Sequence, residues 1–129
     1  MNDIKLFIGP LLVTIFLILI SCSDGSNSEI SYAFDIQTIF NNRCIGCHGN
    51  NEPSANLCLT NYDSLMLGDS NNGPVVNPNA KPRYSILYQK VAYSPPPFGL
   101  RMPMDGPPFL SSQKIDYIWQ WIYDGAKDN

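Results

Sequence analysis

The stretch CIGCHGN, residues 44–50, constrains this chain more than any other: two cysteines stand two residues apart, and the single histidine of the protein follows the second directly. Three chemistries use such a spacing. C-x-x-C alone serves thiol–disulfide exchange or a metal knuckle, whereas C-x-x-C-H is the attachment pattern of c-type haem. The rest of the sequence has to discriminate among them.

A zinc site needs four ligands, and the adjacency of Cys47 and His48 makes it hard for both to reach one tetrahedral ion, leaving Cys44, Cys47, Cys58 and Cys22. A thioredoxin-like dithiol follows a strand and opens a helix, but this pair follows a helical pattern and no strand pattern exists. A disulfide framework of four cysteines leaves His48 without a role. In the haem reading every residue is used. Cys44 and Cys47 would add across the two vinyl groups as thioethers, and His48 would bind the iron as proximal ligand. Cys58 is left over, either as a thiol without function or as a partner for another chain.

The amino terminus carries a second signal. Residues Leu6 to Ile20, LFIGPLLVTIFLILI, hold no charge, and Ser21 precedes Cys22. This run is short for a membrane span but fits the apolar region of a secretory signal, and it resembles a bacterial lipoprotein signal with cleavage before the cysteine. The resemblance implies acylation at Cys22, a signal peptide over 1–21 and a flexible tether over 22–31; an uncleaved anchor helix is the alternative, because Asp3 offsets Lys5. Either reading places the chain outside the cytoplasm, in a compartment such as a periplasm.

Residues 32–129 have the length of one domain. The formal charge of −3 comes with no basic run, so a nucleic-acid partner is not expected. Helical spacing runs through YAFDIQTIFNNR, where Ala33, Ile36, Ile39, Phe40 and Arg43 share a face that leads into Cys44. Thr60 with Asp63 reads as a capping box for a short helix that Gly68 stops. A third pattern covers Tyr84–Val91, with Ile86, Leu87 and Val91 inward, before Pro95, Pro96 and Pro97 forbid continuation. Ser111 caps the clearest helix, whose stripe is Ile115, Ile118, Trp119, Ile122 and Ala126, with Gly125 near its stop. The longest loop is GDSNNGPVVNPNAKP, starting at Gly68. The fold class is all-α with long ordered loops, and so thin a core leaves room for a porphyrin as an apolar centre.

The segments CIGCHG, LTNYDSLMLG, GPVVNP, YSILYQKV, RMP, GPPFLS and WIYDGA, in this order, resemble the class I c-type cytochromes, in particular the single-haem domains of bacterial membrane lipoproteins and planctomycete-type cytochromes. The resemblance covers about residues 32–127. It implies a small helical domain around one covalent haem c, and electron transfer between a donor and an acceptor protein. It also implies that the methionine of the MP pair, Met102, is the distal iron ligand, with Met104 two residues away as competitor. Met66, beside Leu65 and Leu67, reads as a space-filling methionine, and Trp119, Trp121 and the tyrosines as wall or core. Two departures stand out: NPNAKP replaces a glycine-containing PG loop, and Cys58 occupies a position where a polar residue is expected. The rival function is a haem enzyme or gas sensor with an open sixth iron position. The carrier, with no catalytic residue, is the expectation.

Overall fold

The computed structural model describes residues 28–68 and 70–129, so the expected signal peptide, its expected cleavage site and Cys22 lie outside the described residues. Four helices make the frame. α1 opens as a π-helical turn, Tyr32–Ile36, and continues as α-helix over Gln37–Arg43; α2 is Tyr62–Leu67, α3 is Ile86–Ala92 and α4 is Ser112–Tyr123. Among the described residues there is no strand, and no helix is long and apolar enough to cross a membrane.

Capping explains where the helices start. Ser31 Oγ accepts the Phe34 N–H at 3.3 Å while the Asp35 carboxylate accepts the Ser31 N–H at 2.9 Å, which satisfies donors that no helical carbonyl can reach. At α2 the sequence points to Thr60, but the cap is Asn61, whose side-chain oxygen takes the Ser64 N–H at 2.9 Å. The Thr60 hydroxyl turns away and donates to Asn50 Oδ1 at 2.8 Å. Ser111 caps α4 through the Lys114 N–H at 3.4 Å.

The buried faces follow the expected periods with two corrections. In α1, Ile36, Ile39 and Phe40 are buried, but Ala33 is exposed and Tyr32 takes the inward place. A turn closed at i→i+5 sets residues four apart nearly over one another, so Tyr32 stacks above Ile36 and Phe40. In α4, Ile118, Trp121 and Ile122 are buried, as is Ala126 just beyond it, whereas Ile115 and Trp119 are half-buried and Trp119 stacks on Tyr123 with ring centroids 4.9 Å apart.

The core closes where the start of α1 meets the end of α4. The Tyr32 ring lies 5.5 Å from Trp121 and 5.1 Å from Tyr62, centroid to centroid. Tyr62 donates its hydroxyl to the Ala126 carbonyl at 2.8 Å, and Trp121 Nε1 donates to Lys127 O at 2.8 Å. Asn129 completes the closure: its carbonyl accepts from Ala33 N at 3.0 Å and Ser31 Oγ at 2.8 Å, and its side-chain oxygen accepts from Tyr32 N at 2.8 Å. Glu29 and Lys127 pair at 2.6 Å. The loop after Gly68 buries Val75 and Val76, and the Val75 carbonyl accepts the Leu87 N–H at 3.0 Å, which seats α3.

Candidate functional site

α1 delivers the first cysteine. The Cys44 N–H closes the helix on Phe40 O at 2.8 Å, and the Cys44 carbonyl then accepts from Cys47 N at 3.1 Å and His48 N at 2.9 Å. One further turn is thereby wound, and it brings Cys44, Cys47 and His48 onto a single turn of the backbone. Cys44 is half-buried, Cys47 is exposed, and among the described residues neither forms a disulfide. Burial pushes the Cys44 thiol up to about 11.

His48 is held by its ring. Nδ1 lies 3.1 Å from the Ser54 carbonyl and 3.2 Å from the Leu57 carbonyl. Both partners only accept, so Nδ1 carries a proton and Nε2 is the ring nitrogen that could offer a lone pair to a metal. Orientation of a ligating imidazole by a carbonyl on its other nitrogen is the usual outer arrangement of such sites. The backbone builds this cradle at a cost, since Glu52, Ala55 and Asn56 all take left-handed φ values of 47°, 55° and 55°. Ser54 N also donates to Cys47 O at 2.9 Å and Leu59 N to His48 O at 2.8 Å, closing the loop over the cysteine turn. A Cβ on Gly49 would stand 2.7 Å from the Ile45 carbonyl oxygen, so only glycine lets the chain leave the turn this way.

The methionine loop comes from the other side of the sequence. Met102 is half-buried against the core, and its N–H donates to Lys90 O at 2.8 Å, near the end of α3. Arg101 Nε donates to Val91 O at 3.1 Å and its guanidinium lies 4.4 Å over the Phe109 ring. Met104, by contrast, is 63 % exposed. A direct link joins this loop to α1: Arg43 reaches the Asp105 carboxylate at 3.2 Å and the Pro108 carbonyl at 2.9 Å. Sequence reasoning puts Arg43 on an apolar stripe and misses this role, because nothing local pairs residues so far apart. The two carbonyls that orient His48 are equally silent, since any residue supplies one.

Cys58 stands apart from this turn. Its thiol contacts Asn50 Oδ1 at 3.3 Å and Thr60 Oγ1 at 3.2 Å, and the hydrogen-bonding contact with Thr60 lowers its pKa. Met66 is half-buried against the core, as a filler would be. Among the described residues no three His, Cys, Asp or Glu side chains converge as a metal cluster would require. The cysteine turn holds two thiols and one oriented imidazole, the donor set that a covalently attached haem needs. The cytochrome c family model matches residues 34–124, and no curated protein and no solved structure matches the chain. With that match spanning the turn, the cradle and the methionine loop, the chain belongs to the cytochrome c family, carries covalently attached haem c and serves haem-based electron transfer.

Proposed function

We propose that the protein is a membrane-tethered, single-haem electron carrier with histidine and methionine as axial ligands. In this reading Cys44 and Cys47 form the two thioethers, His48 Nε2 is the proximal ligand and the Met102 sulfur the distal one. The observation that carries it is the pair of carbonyls, Ser54 and Leu57, at His48 Nδ1, which leaves Nε2 as the one nitrogen open to iron. When bound, the haem supplies a one-electron couple whose potential is set by axial ligands, burial and hydrogen bonding. The chain does the rest. The two carbonyls hold the imidazole in one tautomer, the turn after α1 would supply both sulfurs for the thioethers, and Lys90 O and Val91 O hold Met102 and Arg101 in place.

Met102 is favoured over Met104 because it packs against the core while Met104 points to solvent. A sulfur kept in place closes the iron to outside ligands, which suits a carrier and not a haem enzyme or gas sensor. The leader and the cysteine at its end support export and acylation at Cys22, as in lipoprotein cytochromes, with donor and acceptor proteins as partners. In the holoprotein, the ferric form should be low-spin with the weak sulfur-to-iron charge-transfer band, and the ferrous form should take up carbon monoxide poorly at neutral pH. Met102→Ala should remove the band and admit carbon monoxide, and Met104→Ala should change neither. A high-spin wild type that binds carbon monoxide readily would replace the carrier reading with the sensor or enzyme one.

A further inference from the structure

Gln37 stands on α1, half-buried, and touches neither the cysteines nor the imidazole of the site. Its amide is nonetheless fully engaged. Nε2 donates to Asn41 Oδ1 at 2.9 Å and to the Leu59 carbonyl at 3.0 Å, and Oε1 accepts the Tyr32 hydroxyl at 2.6 Å. The Leu59 carbonyl can only accept, so the amino group faces it and the amide oxygen is left for the buried tyrosine. Leu59 belongs to the segment, residues 57–60, that grips His48. Its N–H donates to His48 O at 2.8 Å, and two residues earlier the Leu57 carbonyl faces His48 Nδ1 at 3.2 Å. A second polar side chain reaches the same segment from the exit of the cysteine turn. Asn50 Oδ1 accepts the Thr60 hydroxyl at 2.8 Å and the Cys58 thiol at 3.3 Å.

Apolar packing alone would leave this segment one freedom. The buried Leu59 side chain fixes its depth, but rotation of the backbone about its own axis would swing the Leu57 carbonyl away from the imidazole. The loop before it restrains little, since Ser54, Ala55 and Asn56 are exposed and Glu52, Ala55 and Asn56 hold left-handed φ values. A bond to the main chain at Leu59 and bonds to the side chains of Cys58 and Thr60 block that rotation from two origins. The aim of the Leu57 carbonyl matters for an iron ligand, because acceptors on the N–H of a ligating imidazole raise its basicity.

We infer that Gln37 and Asn50 are positioning residues for His48: Gln37 as a donor and Asn50 as an acceptor fix residues 57–60 and so hold the Leu57 carbonyl on Nδ1. This rests on His48 as the proximal ligand. The two residues touch no part of the haem site themselves and act through the segment between them.

The test uses the ¹⁵N-labelled ferric holoprotein, in which the Nδ1 proton of an iron-bound His48 is shifted by the paramagnetic centre, together with the reduction potential. A wild type without that shifted proton would remove His48 as ligand and the proposal with it. Given the proton, the variants decide the proposal alone. Gln37→Leu and, separately, Asn50→Ala each delete a restraint of one or two hydrogen bonds on the segment, so the proton should exchange with solvent roughly two- to tenfold faster. Both should also raise the potential, because a less basic imidazole stabilises ferric iron less. The donor and acceptor roles are separable by exchange. Gln37→Glu sets an acceptor against the Leu59 carbonyl and should exchange as fast as Gln37→Leu, whereas Asn50→Asp keeps the acceptor for Thr60 and should exchange like the wild type. Ser111→Ala, which weakens the α4 cap on Lys114 N, should lower stability and move neither readout. Exchange and potential in Gln37→Leu and Asn50→Ala no different from those of Ser111→Ala would overturn the proposal, as would Asn50→Asp matching Asn50→Ala. Should Gln37→Leu fail to take up haem, the Asn50 pair decides by itself.

Discussion

Arg43 and Asp105 join the last turn before the cysteines to the loop that carries Met102, with Arg43 Nη2 at 3.2 Å from the carboxylate and 2.9 Å from the Pro108 carbonyl. The two contacts are unequal. Asp105 is 76 % exposed, so solvent screens the ion pair, whereas the carbonyl bond uses a charged donor whose side chain is only 23 % exposed. Asp105→Asn should therefore cost no more than about 0.5 kcal/mol of holoprotein stability, and Arg43→Ala about 1–2 kcal/mol. Denaturant titration decides, and equal costs for the two variants would show that the ion pair and not the carbonyl bond dominates.

Covalent attachment gives a chemical readout. Haem should stay with the wild-type chain through acid extraction, and a single Cys47→Ala variant should keep it through the remaining thioether at Cys44. Cys44→Ala combined with Cys47→Ala should release all of it. Full retention by the double variant would place the linkage elsewhere.

Two tryptophans two residues apart should differ in weight. Trp121 is fully buried with its Nε1 bonded to Lys127 O, while Trp119 is half-buried and stacked on Tyr123. Trp121→Ala should cost about 3–5 kcal/mol and Trp119→Ala less than half of that. The reverse order in a thermal or denaturant unfolding series would refute the packing described for α4.

Stability should fall at alkaline pH. Burial first, and then the Asp128 carboxylate, raise the Tyr32 phenol well above the ordinary value of 10.0. The folded state thus holds a proton that the unfolded state gives up above about pH 10, so the contribution is fully present below that pH and is lost as pH rises through the window above it. The slope for one such group approaches about 1.4 kcal/mol per pH unit. Tyr32→Phe should flatten the decline between about pH 10 and 11.5 without abolishing it, because Tyr62 and Tyr88 are raised in the same direction. An unchanged slope in the variant would exclude Tyr32 as a source.

Helix positions and the attachment motif are legible in the sequence because both are local. Ser111 and Gly68 act at the ends of α4 and α2 where composition places them, and Ile36, Ile39, Phe40, Leu87, Val91, Ile118 and Ile122 are buried on the faces their spacing sets. The departures lie in choices decided by neighbours distant in sequence. Asn61 replaces Thr60 as cap since Asn50 engages the Thr60 hydroxyl, and Asn61→Ala should cost about 1 kcal/mol where Thr60→Ala leaves the α2 cap intact. Ala33 and Tyr32 exchange places because a π turn opens α1, and no composition signal marks such a turn. The cradle of His48 is built from main-chain carbonyls, which leave no trace in side-chain identity.

The clasp of Asn129 on Ser31, Tyr32 and Ala33, with Glu29 hooked to Lys127, has a mechanical consequence. Any pull arriving through the residues before Ser28 is borne at this clasp and shared directly with α4. From there to Cys44 runs the whole of α1, roughly 18 Å of helix at about 1.5 Å per residue. The turn that holds both sulfurs and the imidazole is thus strain-relieved, as a cable is by a clamp set well back from its connector.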